Sequence, residues 1–138
     1  MVLHVGRGPF DQSTLGHKVL SAHRHLRSRH AVALENMNCA WRELERSDGA
    51  AEWLSGAVDC EEIDQLAQLL ALWKGVAEVQ GTGRELVGIL EGLLAGDGVS
   101  RGQAAEIVAL KAFYEEIDRE VLNDVAIINR VVLRVEVV

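Results

Sequence analysis

The sequence predicts a mostly all-α protein: a long antiparallel helical bundle of three to four helices, with short β segments at the N- and C-termini. Three observations support this prediction. Long stretches carry apolar residues at helical spacing. The single proline, Pro9, lies near the start, and a chain almost free of proline permits long helices. Glycine-containing segments separate the apolar stretches. At 138 residues, we expect one domain spanning 1–138.

The chain opens with an alternating pattern over Met1–Gly8, which predicts a short strand. The first helix follows, and its apolar residues fall on a seam about 60° wide, as in coiled coils. These residues are Leu15, Val19, Ala22, Leu26, Ala33, Met37, Ala40 and Leu44. The polar segment Ser47–Gly49 predicts the end of this helix. After it, Ala50–Leu54 is predicted to form one helical turn that carries Trp53.

The central run, Asp59–Gly96, is the most apolar part of the chain and begins with a capping-box pattern at Asp59 and Glu62. Its apolar residues cover more than half of a helix circumference, so we expect this helix to be covered on more than one side. They are Ile63, Leu66, Leu70, Trp73 and Ala77, with Leu69, Leu72, Val76 and Val79 widening the arc. The segment Gly81–Gly83 predicts a kink or break, because glycine costs about 1 kcal/mol at an interior helix position.

The last helix follows the loop Gly96–Gly98 and a capping-box pattern at Ser100 and Gln103. Its apolar residues lie within an arc of about 80°, which predicts one buried stripe. They are Ile107, Leu110, Tyr114, Ile117, Val121, Val125, Ile128 and Val132. The last residues, Val131–Val138, alternate and are rich in β-branched side chains, which predicts a second terminal strand.

The net charge of −7 is unevenly distributed along the chain. The acidic residues are concentrated after Leu34, and this acidic bulk disfavours binding to nucleic acid. No run of 18 uncharged apolar residues occurs, so no membrane span is expected. The segment Met1–Phe10 lacks the apolar core of a signal peptide, which favours a cytoplasmic location. Cys39 and Cys60 form no metal-binding pair, and we expect both thiols to be reduced and at least half-buried.

The histidines of the first helix are the candidate metal ligands. His23 and His30 are seven residues apart and therefore lie on one helix face. A zinc or iron site would need carboxylates from other helices, such as Glu62 or Glu116. The alternatives are a buried polar layer or a solvated face. No motif that positions a nucleophile beside a base occurs, so neither an enzyme nor a bound cofactor is expected.

Two short patterns resemble those of the small helical export substrates that carry a Trp-x-Gly turn. They are Trp73-Lys74-Gly75 and Tyr114 with Asp118, which matches Tyr-x-x-x-Asp. This resemblance implies a helical hairpin that turns at the first pattern and an export signal at the second. The apolar spacing runs straight through Trp73, which favours an uninterrupted helix there instead.

Our leading hypothesis is a non-enzymatic assembly protein, either a homo-oligomer or a small adaptor or connector subunit of a larger complex. Strand-like ends offer unpaired backbone groups to other chains, and glycines spaced by four permit close helix approach or weaken the helix locally. The predicted interaction residues are Trp73, Gly88, Gly92, Tyr114, Leu133, Val135 and Val137. A His/carboxylate metal-binding bundle and a helical chaperone or exported protein remain as alternatives.

Overall fold

A computed structural model describes residues 15–56, 58 and 63–137, and the side chains among them from 18 to 131. Within these residues the chain is almost entirely helical and contains no strand, which confirms the predicted helical bundle. The elements are α1 (Leu15–Ala22), α2 (Arg24–Arg46), α3 (Ala50–Ser55), α4 (Ile63–Ala95) and α5 (Arg101–Val137). The long helices α2 and α5 both pack against α4, which is therefore the central helix of the bundle.

Helices α2 and α4 run antiparallel. Near the start of α2, Arg29 donates two hydrogen bonds to Glu78, which lies in the middle of α4. Just after the end of α2, the Ser47 hydroxyl donates to Gln68 near the start of α4, at 3.0 Å. Later residues of α2 thus meet earlier residues of α4.

Helices α4 and α5 are antiparallel in the same way. Glu91 near the end of α4 pairs with Lys111 near the start of α5 at 3.6 Å. Arg84, one to two turns earlier in α4, pairs with Asp118 at 3.5 Å. The three long helices therefore form an up-down-up arrangement with α4 in the middle.

The core consists of two clusters of buried apolar side chains. The larger cluster joins α2, α3, the first half of α4 and the second half of α5, and it includes Met37, Trp41, Trp53, Leu72 and Val121. The smaller cluster joins α1, the second half of α4 and the first half of α5, and it includes Leu20, Leu86, Leu90 and Ile107. Both clusters use α4, so the inward face of this helix holds the bundle together.

The predicted boundaries of α3 and the predicted start of α5 are confirmed. Gly49 and Gly56 flank α3 with φ of 77° and 89°, a backbone conformation that glycine adopts without steric cost. The Ser100 hydroxyl accepts a hydrogen bond from the Gln103 N–H, and the Gln103 side chain accepts one from the Ser100 N–H. This reciprocal pair is the predicted capping box at the start of α5.

The predicted C-terminal strand at Val131–Val138 is wrong, because α5 continues as a helix to Val137. Ile128 is fully buried and Val131 is 3% exposed, so the apolar seam of α5 extends into this segment. A β-branched residue lowers helix propensity by less than about 1 kcal/mol, and elongation of an existing packed helix outweighs that cost. The predicted strand at Met1–Gly8 lies outside the described residues, as does the predicted cap at Asp59 and Glu62.

The predicted break at Gly81–Gly83 is also wrong, because α4 is continuous from Ile63 to Ala95. The Thr82 hydroxyl donates to the Glu78 carbonyl at 2.7 Å within α4. Thr82 and Gly83 are both buried against neighbouring helices. Packing on two flanks stabilises this stretch more than the glycines weaken it.

Two smaller expectations for the first helix are corrected as well. The predicted single helix is divided at His23 into α1 and α2, although the His23 N–H still donates to the Val19 carbonyl at 3.2 Å. Cys39 is exposed rather than half-buried. Cys60 lies outside the described residues.

Substituting alanine at two glycines of α4 should have opposite effects on the free energy of unfolding. A Cβ at Gly75 would lie 3.3 Å from the Met37 Cα, and backbone cannot move aside cheaply. A Cβ at Gly81 would meet nothing within 4 Å. We expect Gly75→Ala to lower the free energy of unfolding by about 1–3 kcal/mol, and Gly81→Ala to raise it by about 1 kcal/mol. Urea denaturation of both variants measures this; a stabilised Gly75→Ala protein would contradict the packing of α2 on α4.

Candidate interaction surface

The side of α4 that faces away from the core forms a continuous exposed strip, which we call the outer face of α4. Its members recur every three or four residues along the whole helix, and all are exposed. They are Ile63, Ala67, Leu70, Lys74, Ala77, Gly81, Glu85, Gly88, Gly92 and Ala95. Two of these ten residues carry a charge, whereas the solvent side of a helix in a stable monomer is usually polar.

The first half of the outer face carries large apolar side chains. Ile63 is 81% exposed and Leu70 is 51% exposed, and Trp73 beside them is 40% exposed. Single exposed apolar residues are common on protein surfaces, but a contiguous group marks a contact site. The predicted interaction residue Trp73 therefore lies at the edge of an apolar patch.

The second half of the outer face consists mainly of residues with little or no side chain. A Cβ placed at Gly81, Gly88 or Gly92 would meet nothing within 4 Å. The predicted close helix approach at Gly88 and Gly92 is therefore absent among the described residues of this chain. These positions form an open shallow surface along the helix.

Ion pairs with the neighbouring helices border the outer face. Glu78 binds Arg29 of α2 at 2.6 Å on one side, and Arg84 binds Asp118 of α5 on the other. Exposed pairs contribute little to stability, but they keep these charges at the margins of the strip. Leu122 of α5, 48% exposed, lines an open groove beside Gly88 whose other walls include charged residues such as Arg84, Glu91 and Glu115.

Behind the outer face, His30 of α2 is buried between α4 and α5. Its ring lies edge-on to Tyr114 with the centroids 5.1 Å apart, and its Nε2 would be 3.3 Å from a Cβ at Gly83. Burial lowers the pKa of His30 to about 4, and Nε2 has no hydrogen-bond partner among the described residues. Burial also raises the pKa of Tyr114, while Arg27 opposes that shift. Tyr114, predicted as an interaction residue, is 7% exposed and packs inside the chain.

The structure does not bring the two candidate metal ligands together. His23 is exposed, whereas His30 is buried. His23 precedes the first residue of α2. Glu116 pairs with Arg119, and Glu62 lies outside the described residues. The part of the chain that the structure describes contains no group of three or more His, Cys, Asp or Glu that could hold a metal ion.

Asp124 of α5 is a buried ionisable residue that the sequence reasoning missed. Its side chain is fully buried, and burial raises its pKa to about 6, a shift that the nearby Trp41 indole reduces and Glu120 increases. Neither carboxylate oxygen has a partner in hydrogen-bond geometry among the described residues. The signal was its register: Asp124 follows Val121 by three and precedes Ile128 by four, on the buried stripe.

The turn that the Trp-x-Gly resemblance implies does not occur. Trp73 and Gly75 lie within the uninterrupted α4, and Gly75 packs closely against Met37 of α2. The side chains of the other predicted interaction residues, Leu133, Val135 and Val137, lie outside those described.

No protein-family model matches this chain, and comparison with curated proteins and with solved structures gives no match either. Over the described residues, no helix combines the length and apolar character that crossing a membrane requires.

Proposed function

We propose that this protein is a non-enzymatic assembly subunit and that the outer face of α4 docks against another protein chain. The observation that carries this proposal is the position of Ile63, Leu70 and Trp73. They are large, apolar and exposed on the helix that forms the centre of the bundle. A helix that is apolar over more than half of its circumference is normally covered on more than one side. In this chain α2 and α5 cover its inward face and flanks.

The size of the surface suits a specific contact. Helix α4 has 33 residues and is therefore about 50 Å long. A partner helix along this length, at a width of about 10 Å, would cover about 500 Å² on each side, or about 1,000 Å² in total. That is the lower bound for a biological interface, and side chains on α5 such as Leu122 would add to it.

The predicted C-terminal strand no longer supports this function, because that segment is helical. The assembly hypothesis therefore depends on a helical contact rather than on strand pairing. Shape-matched apolar helix faces associate by side-chain packing, which needs no unpaired backbone groups.

Leu70→Glu should remove the association while leaving the bundle folded. Its side chain is about half exposed, so the substitution costs the isolated chain little, whereas it would bury a charge in the interface. The matched control is Val108→Glu, which changes a 54% exposed apolar residue on α5 outside the outer face. Native mass spectrometry of the untagged proteins is the measurement.

We expect wild-type and Val108→Glu proteins to form complexes larger than the 15.1 kDa chain, and Leu70→Glu to be a monomer. Circular dichroism should show equal helix content in all three. Equal masses for wild-type and Leu70→Glu proteins would contradict the proposed role of the outer face.

A further inference from the structure

We infer that the partner of the outer face of α4 is a second copy of the same helix, packed antiparallel and aligned end to end. This inference rests on the proposed function and names the occupant of that surface. Two features of α4 support it, since its two halves are complementary both in side-chain size and in charge.

The size complementarity follows from the order of residues along the outer face. Large apolar side chains, Ile63 and Leu70, occupy the first half, while the second half consists of glycine and alanine apart from Glu85. If two copies of α4 align end to end in opposite directions, Ile63 of one copy lies opposite Ala95 of the other. Leu70 then lies opposite Gly88, and Ala77 opposite Gly81. Leu70 thus meets Gly88, where a Cβ would contact nothing of its own chain within 4 Å, and Ile63 meets the small side chain of Ala95.

A parallel arrangement lacks this match. In a parallel in-register pair, Leu70 would face Leu70 and Gly88 would face Gly88. Large side chains would then crowd one half of the contact, and the other half would contain gaps. In the antiparallel arrangement, the large side chains in the first half of each helix pack against the small residues in the second half of the other. Both copies then use the same surface, and the contact is twofold symmetric. Gaps at a helix contact forfeit packing energy.

The charges agree with the same alignment. The two charged residues of the outer face are Lys74 and Glu85, and both are exposed. In the end-to-end antiparallel alignment, Lys74 of one copy lies within one residue of Glu85 of the other, and the pair occurs twice by symmetry. In a parallel in-register pair, each would face its own like charge, which is repulsive.

Cysteine pairing tests the direction and alignment together. In a background with Cys39 and Cys60 changed to Ser, we would compare Leu70→Cys, Gly88→Cys and the variant with both substitutions under mild oxidation. In the proposed dimer, positions 70 of the two copies are about 27 Å apart along the axis, whereas 70 and 88 are opposite. A disulfide needs Cα atoms within about 7 Å. We therefore expect a covalent dimer from the double variant and from neither single variant.

Charge exchange is the second arm and leaves the large side chains in place. Lys74→Glu and Glu85→Lys should each weaken dimerisation by about tenfold, because each creates two like-charge contacts. The combined variant should return to within about threefold of the wild-type dissociation constant. Since both residues are exposed, none of these changes should alter the fold of the isolated chain.

Crosslinking of Leu70→Cys alone would show a parallel contact and overturn the inference. Absence of crosslinks in the double variant, with no rescue by charge exchange, would also overturn it. If Leu70→Glu still changes the mass of the complex in that case, the outer face docks another partner, and the proposed function stands without this inference. If Leu70→Glu has no effect either, both are wrong.

Discussion

Replacing Asp124 by asparagine should abolish a decrease of about 3 kcal/mol in the free energy of unfolding that the wild-type protein shows as the pH rises. The carboxyl group has an ordinary pKa of 3.8 and a pKa of about 6 in the folded chain, because burial disfavours its charged form. The folded state thus binds a proton more tightly than the unfolded state between these values. The contribution of this carboxyl group to the free energy of unfolding is greatest below pH 3.8. It falls as the pH rises and reaches its minimum above pH 6.

The measurement is urea denaturation of both proteins from pH 3 to pH 8 at one protein concentration. From low to high pH, the wild-type protein should lose about 3 kcal/mol relative to Asp124→Asn. Asp97→Asn is the matched control, since Asp97 is exposed in the loop before α5 and should leave the wild-type profile unchanged. Parallel curves for wild-type and Asp124→Asn proteins would show that the carboxyl group does not titrate differently on folding.

Replacing His30 by phenylalanine should change the pH dependence in the opposite direction. Burial lowers the pKa of His30 from 6.5 to about 4, so the unfolded state binds the proton more tightly. Stability from this group is complete above pH 6.5 and is lost as the pH falls toward 4, by about 3 kcal/mol. Phenylalanine cannot be protonated and keeps a ring against Tyr114.

The same denaturation series measures this effect. As the pH falls from 7 to 4, the wild-type protein should lose about 3 kcal/mol relative to His30→Phe. His25→Phe is the control, because His25 is on the same helix and exposed. A constant difference between wild-type and His30→Phe proteins at every pH would mean that the ring is protonated equally in both states, contrary to its burial.

The two buried groups oppose each other between about pH 4 and pH 6. His30 makes the fold more stable as the pH rises, and Asp124 makes it less stable over nearly the same range. Their contributions should largely cancel in the wild-type protein. In each single variant, the free energy of unfolding should therefore vary with pH according to the group that remains. In the variant with both His30→Phe and Asp124→Asn, neither group should add a pH dependence between pH 4 and pH 6.

Helix positions were predictable wherever local signals agreed with each other. The reciprocal bonds of Ser100 and Gln103 start α5 where the capping-box pattern predicted, and Gly49 precedes α3 as expected. Predictions failed where a weak local preference opposed packing. The glycines at Gly81–Gly83 disfavour a helix by about 1 kcal/mol each, and packed neighbours outweigh them. The valines after Val131 disfavour a helix by less, and elongation of the existing helix outweighs that preference.

The candidate surface was only partly predictable. Trp73, Gly88 and Gly92 were named from the sequence and lie on or beside the outer face, but Tyr114 lies in the core. Asp124 was not recognised as a buried residue, although its spacing places it on the apolar stripe of α5. Whether its side chain points inward depends on which arc of α5 the other helices cover.

The sequence by itself determined that the chain forms long helices, where α5 begins, and that α4 has more apolar surface than one contact needs. Those properties follow from residue spacing and local hydrogen bonding, which involve neighbours along the chain. Only the tertiary structure decided which apolar arc of α4 is buried. Leu69, Leu72 and Val76 face the core, and Ile63 and Leu70 face outward, although both sets repeat at helical spacing. Periodicity cannot separate two apolar arcs on one helix, because the choice depends on the shapes of the helices packed against it.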